Sequence, residues 1–291
     1  MKEYLKKNPV TLFFTLTFMI SWSGILIVAY QTGIPATTKQ FDELLPIAMI
    51  PYLLGPSIAS FIMIGLTIGK KGFLELFGRL LKWRLGGSIY LLALFTIPII
   101  SIISLFILYQ FSEVYIPDIF AKDDKTVLVL SGLIYGIIGG GLLEELGWTG
   151  YATPKLREKY SVVKTGLIIG IIWGLWHFLP VFWGSGDDSG NLLLSSFLPG
   201  FFFQYAGLIP IRILIVWIYD QTNSLIATLI LHASVTASTF FIFNISETGM
   251  PLFFYYALLA LGLWAFVFFI INKSQIHENT HYLRYKRRAN S

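Results

Sequence analysis

Eight stretches of almost unbroken apolar residues mark out the chain, at roughly 9–30, 45–68, 87–110, 129–153, 164–183, 197–219, 223–244 and 251–272. Each is close to the ~20 apolar residues that a helix rising 1.5 Å per residue needs to cross a hydrocarbon core of about 30 Å. Inside lipid no water is available to backbone N–H and C=O groups, so runs of this length must satisfy them internally, as helices. The pattern therefore predicts an all-α fold, a polytopic transmembrane helix bundle of about eight spans. One segment breaks the pattern. From 72 to 86, Phe73, Leu76, Phe77, Leu80, Leu81 and Trp83 alternate with basic residues, the signature of an amphipathic helix lying in the membrane interface.

Composition closes off the soluble alternative. Hydrophobic residues make up 55% of the 291 positions, charged residues 13%, and the mean hydropathy is +0.71. A water-soluble globule carries about 25% charged residues, so most of this surface faces a lipid bilayer. The net charge of +5 does not indicate nucleic acid, because the basic residues fall in short segments between apolar runs. Seventeen of the Lys and Arg residues lie on one side of an eight-span chain: Lys2, Lys6 and Lys7; five between Lys70 and Arg84; four between Lys155 and Lys164; and Lys273 with Arg284, Lys286, Arg287 and Arg288. The opposite loops hold only Lys39, Lys122 and Lys125, beside Asp123, Asp124, Asp187 and Asp188. By the positive-inside rule this is a multi-pass cell-membrane protein with both termini cytoplasmic. The chain has no cysteine, which excludes disulfides, thiolate metal sites and a cysteine nucleophile.

An ionisable side chain within a span costs about 2.5–3.5 kcal/mol on insertion scales, so each one calls for a reason. There are few. Glu144 and Glu145 lie in the fourth run, His177 in the fifth, Arg212 in the sixth and His232 in the seventh. Counted along their helices, the two Glu and the two His fall at similar depth, in the middle or cytoplasmic half of the membrane. Adjacent residues on a helix point about 100° apart, which predicts divided roles for the two Glu: one facing a cavity, its neighbour packed against another helix. Arg212 is expected to pair with Asp220 or with a nearby carboxylate.

At these positions the sequence resembles the CPBP family of intramembrane proteases, which includes the type II CAAX prenyl endopeptidases and the bacteriocin-immunity (Abi) proteins. The first motif reads Glu144-Glu145-Leu146-Gly147-Trp148-Thr149-Gly150-Tyr151, and the second Trp173-Gly174-Leu175-Trp176-His177. The third region runs from Arg212 through Thr222-Asn223-Ser224 to His232-Ala233-Ser234-Val235-Thr236. The resemblance implies a catalytic core at about 127–245, between N-terminal helices with the interfacial segment (1–126) and a last helix with a basic cytoplasmic tail (246–291). There are two departures. Thr149 stands where the family's first motif commonly has Arg, leaving Glu145 to another partner such as Arg212, and Thr236 stands where the third commonly has Asn.

The resemblance implies a membrane-embedded endopeptidase with Glu144, Glu145, His177, His232 and Thr236 as site residues, acting on a membrane protein or lipidated peptide. Glu144 with His177 would activate water, Glu145 would support Glu144, and His232 with Thr236 would hold the oxyanion. In a metal-dependent version, Glu144, His177 and His232 would be ligands to Zn2+, leaving a position for water. From another class, the two departures are compatible with a non-catalytic immunity or envelope-regulating scaffold of the same family.

Overall fold

The computed structural model describes the backbone of residues 7–289, with side chains as far as Ser274. The basic side chains expected to orient the two ends, Lys2, Lys6 and Arg284 to Arg288, lie outside the described residues. All eight spans form: α1 (Pro9–Ala29), α2 (Thr38–Thr67), α4 (Gly87–Tyr109), α5 (Lys125–Arg157), α6 (Val162–Trp183), the pair α7–α8 within Leu194–Thr222, α9 (Leu225–Ile242) and α10, whose membrane part is Met250–Ser274. Between α2 and α4 lies the short helix α3 (Lys70–Leu80). The backbone of α10 continues as helix to Ala289. The chain is a multi-pass, all-α membrane protein.

Three boundaries depart from the sequence pattern, each for a physical reason. Helix α2 begins seven residues early, at Thr38, because Thr37 and Gln40 form a reciprocal capping box over its first turn. The amphipathic segment is helical only to Leu80. Residues 82–86 run extended into Gly87, with the Lys82 carbonyl accepting a 2.7 Å hydrogen bond from Ser224. Leu74, Phe77, Leu81 and Trp83 stay exposed there, as an interfacial segment requires. The sixth run is two helices, α7 (Leu194–Ala206) and α8 (Leu208–Thr222), interrupted at Gly207. Pro210 has no N–H to return to the Ala206 carbonyl, so the ladder opens at that point.

The prolines decide which helices touch. A proline within a helix frees the carbonyl four residues before it, and in hydrocarbon that oxygen must find a donor elsewhere. Six prolines are answered in this way by another part of the chain. The Tyr52 carbonyl, freed by Pro56, accepts from Ser21 of α1 at 2.7 Å, and the Leu94 carbonyl, freed by Pro98, from Ser234 of α9 at 2.8 Å. Gly150, freed by Pro154, accepts from Arg79 of α3 at 2.9 Å. Trp176, freed by Pro180, takes both Trp22 Nε1 and the Tyr52 hydroxyl, at 3.1 and 3.3 Å. Ser195, freed by Pro199, accepts the Gly249 amide at 2.8 Å, and Ala206 accepts Trp264 Nε1 of α10 at 2.9 Å.

Two glycine stripes set the closest approaches. On α5, a Cβ at Gly136 would lie 2.7 Å from the Ala233 carbonyl oxygen, and one at Gly132 would lie 3.3 Å from the Cα of Ala237. On α6, Cβ atoms at Gly166 and Gly170 would lie 2.7 and 3.0 Å from the Cα atoms of Ile213 and Ile209. Small residues at i, i+4 and i+8 let backbones meet where apolar side chains have no hydrophobic reason to associate. One stripe seats α5 on α9, and the other seats α6 on α8. These are the helices that carry the intramembrane ionisable residues.

Candidate active site

Helix α5 is not a regular α-helix at the motif. It is π-helical over Tyr135–Glu144 and again over Trp148–Ala152, with a short α-helical turn between. Such wide turns are common at functional sites, because they re-aim side chains and leave carbonyls without a regular partner. The Leu143 carbonyl accepts from Ser57 of α2 at 2.5 Å, which fixes the backbone just before the Glu pair.

The two carboxylates have different surroundings. Glu145 is buried and saturated. Its Oε1 accepts from His232 Nδ1 at 2.6 Å and from Arg212 Nη1 at 2.9 Å, while Oε2 takes the same Arg212 nitrogen at 3.1 Å and the Thr149 hydroxyl. Glu144 lies on the other side of the helix. Its Oε2 accepts from Trp173 Nε1 at 2.7 Å, and its Oε1 stands 4.0 Å from His232 Nε2. It lines a cavity of about 620 Å³ shared with Trp173, His177, His232, Thr236 and Tyr52. Four of the five expected site residues face this one space, and Glu145 stands behind them as support.

Each imidazole is oriented through one nitrogen. His177 Nδ1 donates to the Trp173 carbonyl at 2.8 Å, and the His177 carbonyl accepts Gln204 Nε2 at 3.0 Å. His232 Nδ1 donates to Glu145. In both residues Nε2 is therefore the atom left for chemistry. Thr236 sits one turn beyond His232. A Cβ at Gly140 would fall 2.7 Å from its Oγ1 and 2.8 Å from His232 Nε2, so only glycine leaves room for both polar atoms on this side of the cavity.

Arg212 is fully buried, and the carboxylate it pairs with is Glu145. The alternative partner, Asp220, is bound instead by Arg157 at 2.6 Å near the end of α8. Thr149 and Arg212 together thus provide what an Arg at position 149 would: a hydrogen bond one turn along and a neutralising charge. The guanidinium also lies 4.2 Å above the Trp173 ring.

Trp173 is the residue whose role the sequence did not disclose. Its N–H holds Glu144, its carbonyl holds His177, its face carries Arg212, and its edge meets His232 with centroids 5.2 Å apart. The available signal was its position one turn before His177, where its carbonyl comes within reach of the imidazole. Tyr52 and Gln204 were also missed. Both come from outside the motifs and act on the second motif's helix.

The zinc arrangement asks three donors to share one ion, with metal–ligand distances near 2.0–2.2 Å. The donor types are suitable, yet among the described residues no group of three His, Asp or Glu side chains is arranged to hold a metal. His232 Nε2 and Glu144 Oε1 are 4.0 Å apart, and Glu144 Oε2 is engaged by Trp173. The residues as placed do not fit the ion.

With this geometry in view, comparison with known proteins is informative. Residues 126–238 match the family profile described as type II CAAX prenyl endopeptidase Rce1-like. The match spans the helices that build the cluster. Over this core the chain is similar to the CPBP-family proteases. The curated CAAX prenyl protease 2 of Methanococcus maripaludis is 27% identical to it over 244 residues, covering 78% of this chain and 82% of that protein. The CPBP match begins within the first turn of α5 and ends in α9, so the helices that add Tyr52, Trp22 and the cavity wall from α10 lie outside the matched core.

Proposed function

We propose that the chain is an intramembrane endopeptidase that hydrolyses a peptide bond of a membrane-associated protein or peptide with water activated by Glu144. The observation that carries this reading is the division between the two carboxylates: Glu145 is fully engaged in packing, while Glu144 presents Oε1 to a cavity that His177 and His232 also face.

The chemistry follows from which atoms are free. Glu144 Oε1 takes a proton from a water positioned with the help of His177 Nε2, and the oxygen adds to the substrate carbonyl carbon. His232 Nε2 and the Thr236 hydroxyl lie together on the α9 side, where they donate to the carbonyl oxygen as it becomes an oxyanion; losing one such donor typically costs about 10²–10³ in rate. Glu144 then returns the proton to the departing amine, the C–N bond breaks, and an amine and a carboxylic acid leave, the acid releasing the second proton of the water to solvent. His232 Nδ1 already donates to Glu145, so donation from Nε2 requires a proton on both ring nitrogens.

The test is cleavage of membrane-peptide substrates, prenylated and not, by purified protein and by Glu144→Gln and His177→Ala. Removal of a positioned general base is expected to lower turnover by about 10²–10⁴, with the helical content and thermal unfolding of Glu144→Gln unchanged because Trp173 can still donate to the amide oxygen. Undiminished cleavage by both variants removes the assignment. Activity that survives exhaustive chelation supports the metal-free route, whereas loss on chelation with recovery on zinc addition overturns it.

A further inference from the structure

At the end of the bundle where the basic segments gather, a second cavity of about 500 Å³ lies among helix termini. Ile64 and Ile68 come from the end of α2, Arg79 from α3, Lys155 from the last turn of α5 and Tyr219 from the last turn of α8. Helix ends sit where hydrocarbon gives way to lipid head groups. None of the catalytic candidates lines this space. Its charges are unbalanced. Of the two carboxylates on the lining, Glu158 is held by Lys155 at 2.8 Å and Glu75 has Lys71 at 3.9 Å. Among the described residues, neither Arg79 nor Lys82 forms an ion pair with a carboxylate. Arg79 is half-buried, and neutral oxygens alone hold its guanidinium. Nε donates to the Glu75 carbonyl at 3.2 Å, Nη1 to the Tyr219 hydroxyl at 2.6 Å and Nη2 to the Gly150 carbonyl at 2.9 Å. Those bonds leave one N–H on each terminal nitrogen for another acceptor. Tyr219, accepting from Arg79, keeps its own proton to donate. Tyr151 lines the same space, is 2% exposed, and its hydroxyl has no hydrogen-bond partner. A guanidinium fixed by neutral groups, beside hydroxyls with no acceptor, is the protein's half of an anion site.

We propose that this cavity binds the phosphate of an anionic membrane phospholipid, with Arg79 and Lys82 supplying the charge and Tyr151 and Tyr219 donating from their hydroxyls. Phosphate fits because it offers several acceptor oxygens to a planar guanidinium. The surroundings make the carrier a lipid and not a soluble ester. Ile64, a turn deeper in α2, gives the cavity an apolar end, and beside it α3 and the segment after it expose Leu74, Phe77, Leu81 and Trp83. That is an interfacial surface against which acyl chains lie while the head group reaches the basic residues. Occupation has a route into the bundle, because Arg79 also holds the Gly150 carbonyl, within the π-helical turn that follows the Glu pair. The proposal does not depend on peptidase activity.

The test uses the full chain, delipidated in an uncharged detergent, with bound lipid counted by native mass spectrometry as short-chain phosphatidylglycerol is added. One saturable phosphatidylglycerol is expected, and phosphatidylcholine of the same chain length is expected to bind more weakly by about fivefold or more. Lys82→Gln should weaken the phosphatidylglycerol about fivefold, the worth of one basic charge at a membrane surface. Tyr151→Phe should weaken it too, with the thermal unfolding temperature unchanged, since that hydroxyl has no partner within the protein. Lys159→Gln, on the same face but outside the cavity, is the control and should leave the affinity as it was. Arg79 is kept, because replacing it would also strand the Gly150 carbonyl. Equal losses from Lys82→Gln and Lys159→Gln overturn the proposal, because they report attraction to a basic surface and not a site. Equal binding of the two lipids overturns it, and so does the absence of a saturable lipid. Glycerol phosphate separates the two sources of the anion. Its failure to displace the lipid at equal concentration supports the lipid assignment, and displacement overturns that assignment in favour of a soluble ester.

Discussion

The two sides of α5 at the Glu pair differ in how far their carboxylates are committed to partners. On the packed side, Glu145 receives Arg212, His232 and Thr149, and almost nothing there is accessible. On the cavity side, Glu144 receives a single donor, Trp173, and faces open space. One residue of helical offset separates a carboxylate that holds the bundle together from one available to react. The comparison teaches that charge alone does not mark a catalyst in a membrane; the number of committed partners does.

Substitutions can test that contrast, beginning with the packed side. Arg212→Met leaves Glu145 buried without its counter-charge and is expected to cost about 3–5 kcal/mol, read as a large fall in the thermal unfolding temperature in detergent. Stability close to wild type would show that Glu145 is not carrying a structural charge. On the cavity side, Gly140→Ala pushes a methyl between His232 Nε2 and Thr236 Oγ1, and displacement of such groups by about 1 Å is expected to cost around 10²-fold in turnover. Gly139→Ala is its control, because the nearest atom there is the tip of Leu53 of α2 at 3.3 Å; equal effects from the two would mean that any methyl on this stretch of α5, not the crowding of the polar pair, is being sensed. Trp173→Phe keeps the ring under Arg212 but removes the donor to Glu144, and a hydrogen bond to a charged group is worth about 1.5–3 kcal/mol. That predicts a loss of tenfold or more in kcat with KM little changed, checked by steady-state kinetics. The smallest expected change is Thr149→Val, which strips one of several donors from Glu145 for about 1–2 kcal/mol of stability and little activity; a large loss of turnover would merge the two sides into one functional unit.

Much of this was legible in the sequence, because hydrocarbon tolerates so little. Eight apolar runs had to be helices, and Glu144, Glu145, His177, Arg212 and His232 stood out because each is expensive where it lies. The divided roles of the Glu pair followed from helical geometry, although which Glu took which role did not. What stayed hidden depends on neighbours distant in the chain. Arg212 had two plausible carboxylates, and only the packing of α6 on α8 turns it towards Glu145 rather than Asp220. Trp173 read as one aromatic among many, because its importance lies in contacts with three other helices, to Glu144, Arg212 and His232. The split at Gly207 was masked by residues equally apolar on both sides, and the glycine stripes had periodicity without a partner.

The prolines have a consequence for assembly. While each span stands alone in the bilayer, its freed carbonyl has no donor, a cost of several kcal/mol in hydrocarbon. Association of the helices therefore has a directional reward at six fixed points, and a hydrogen bond specifies rotation and height in a way that contact between greasy surfaces cannot. Several of these points join segments far apart in the chain, Trp22 to Trp176 and Leu94 to Ser234 among them. The bundle cannot lock until its last helices have been inserted, and the cavity beside Glu144 consequently comes into being only when synthesis of the membrane domain is nearly complete.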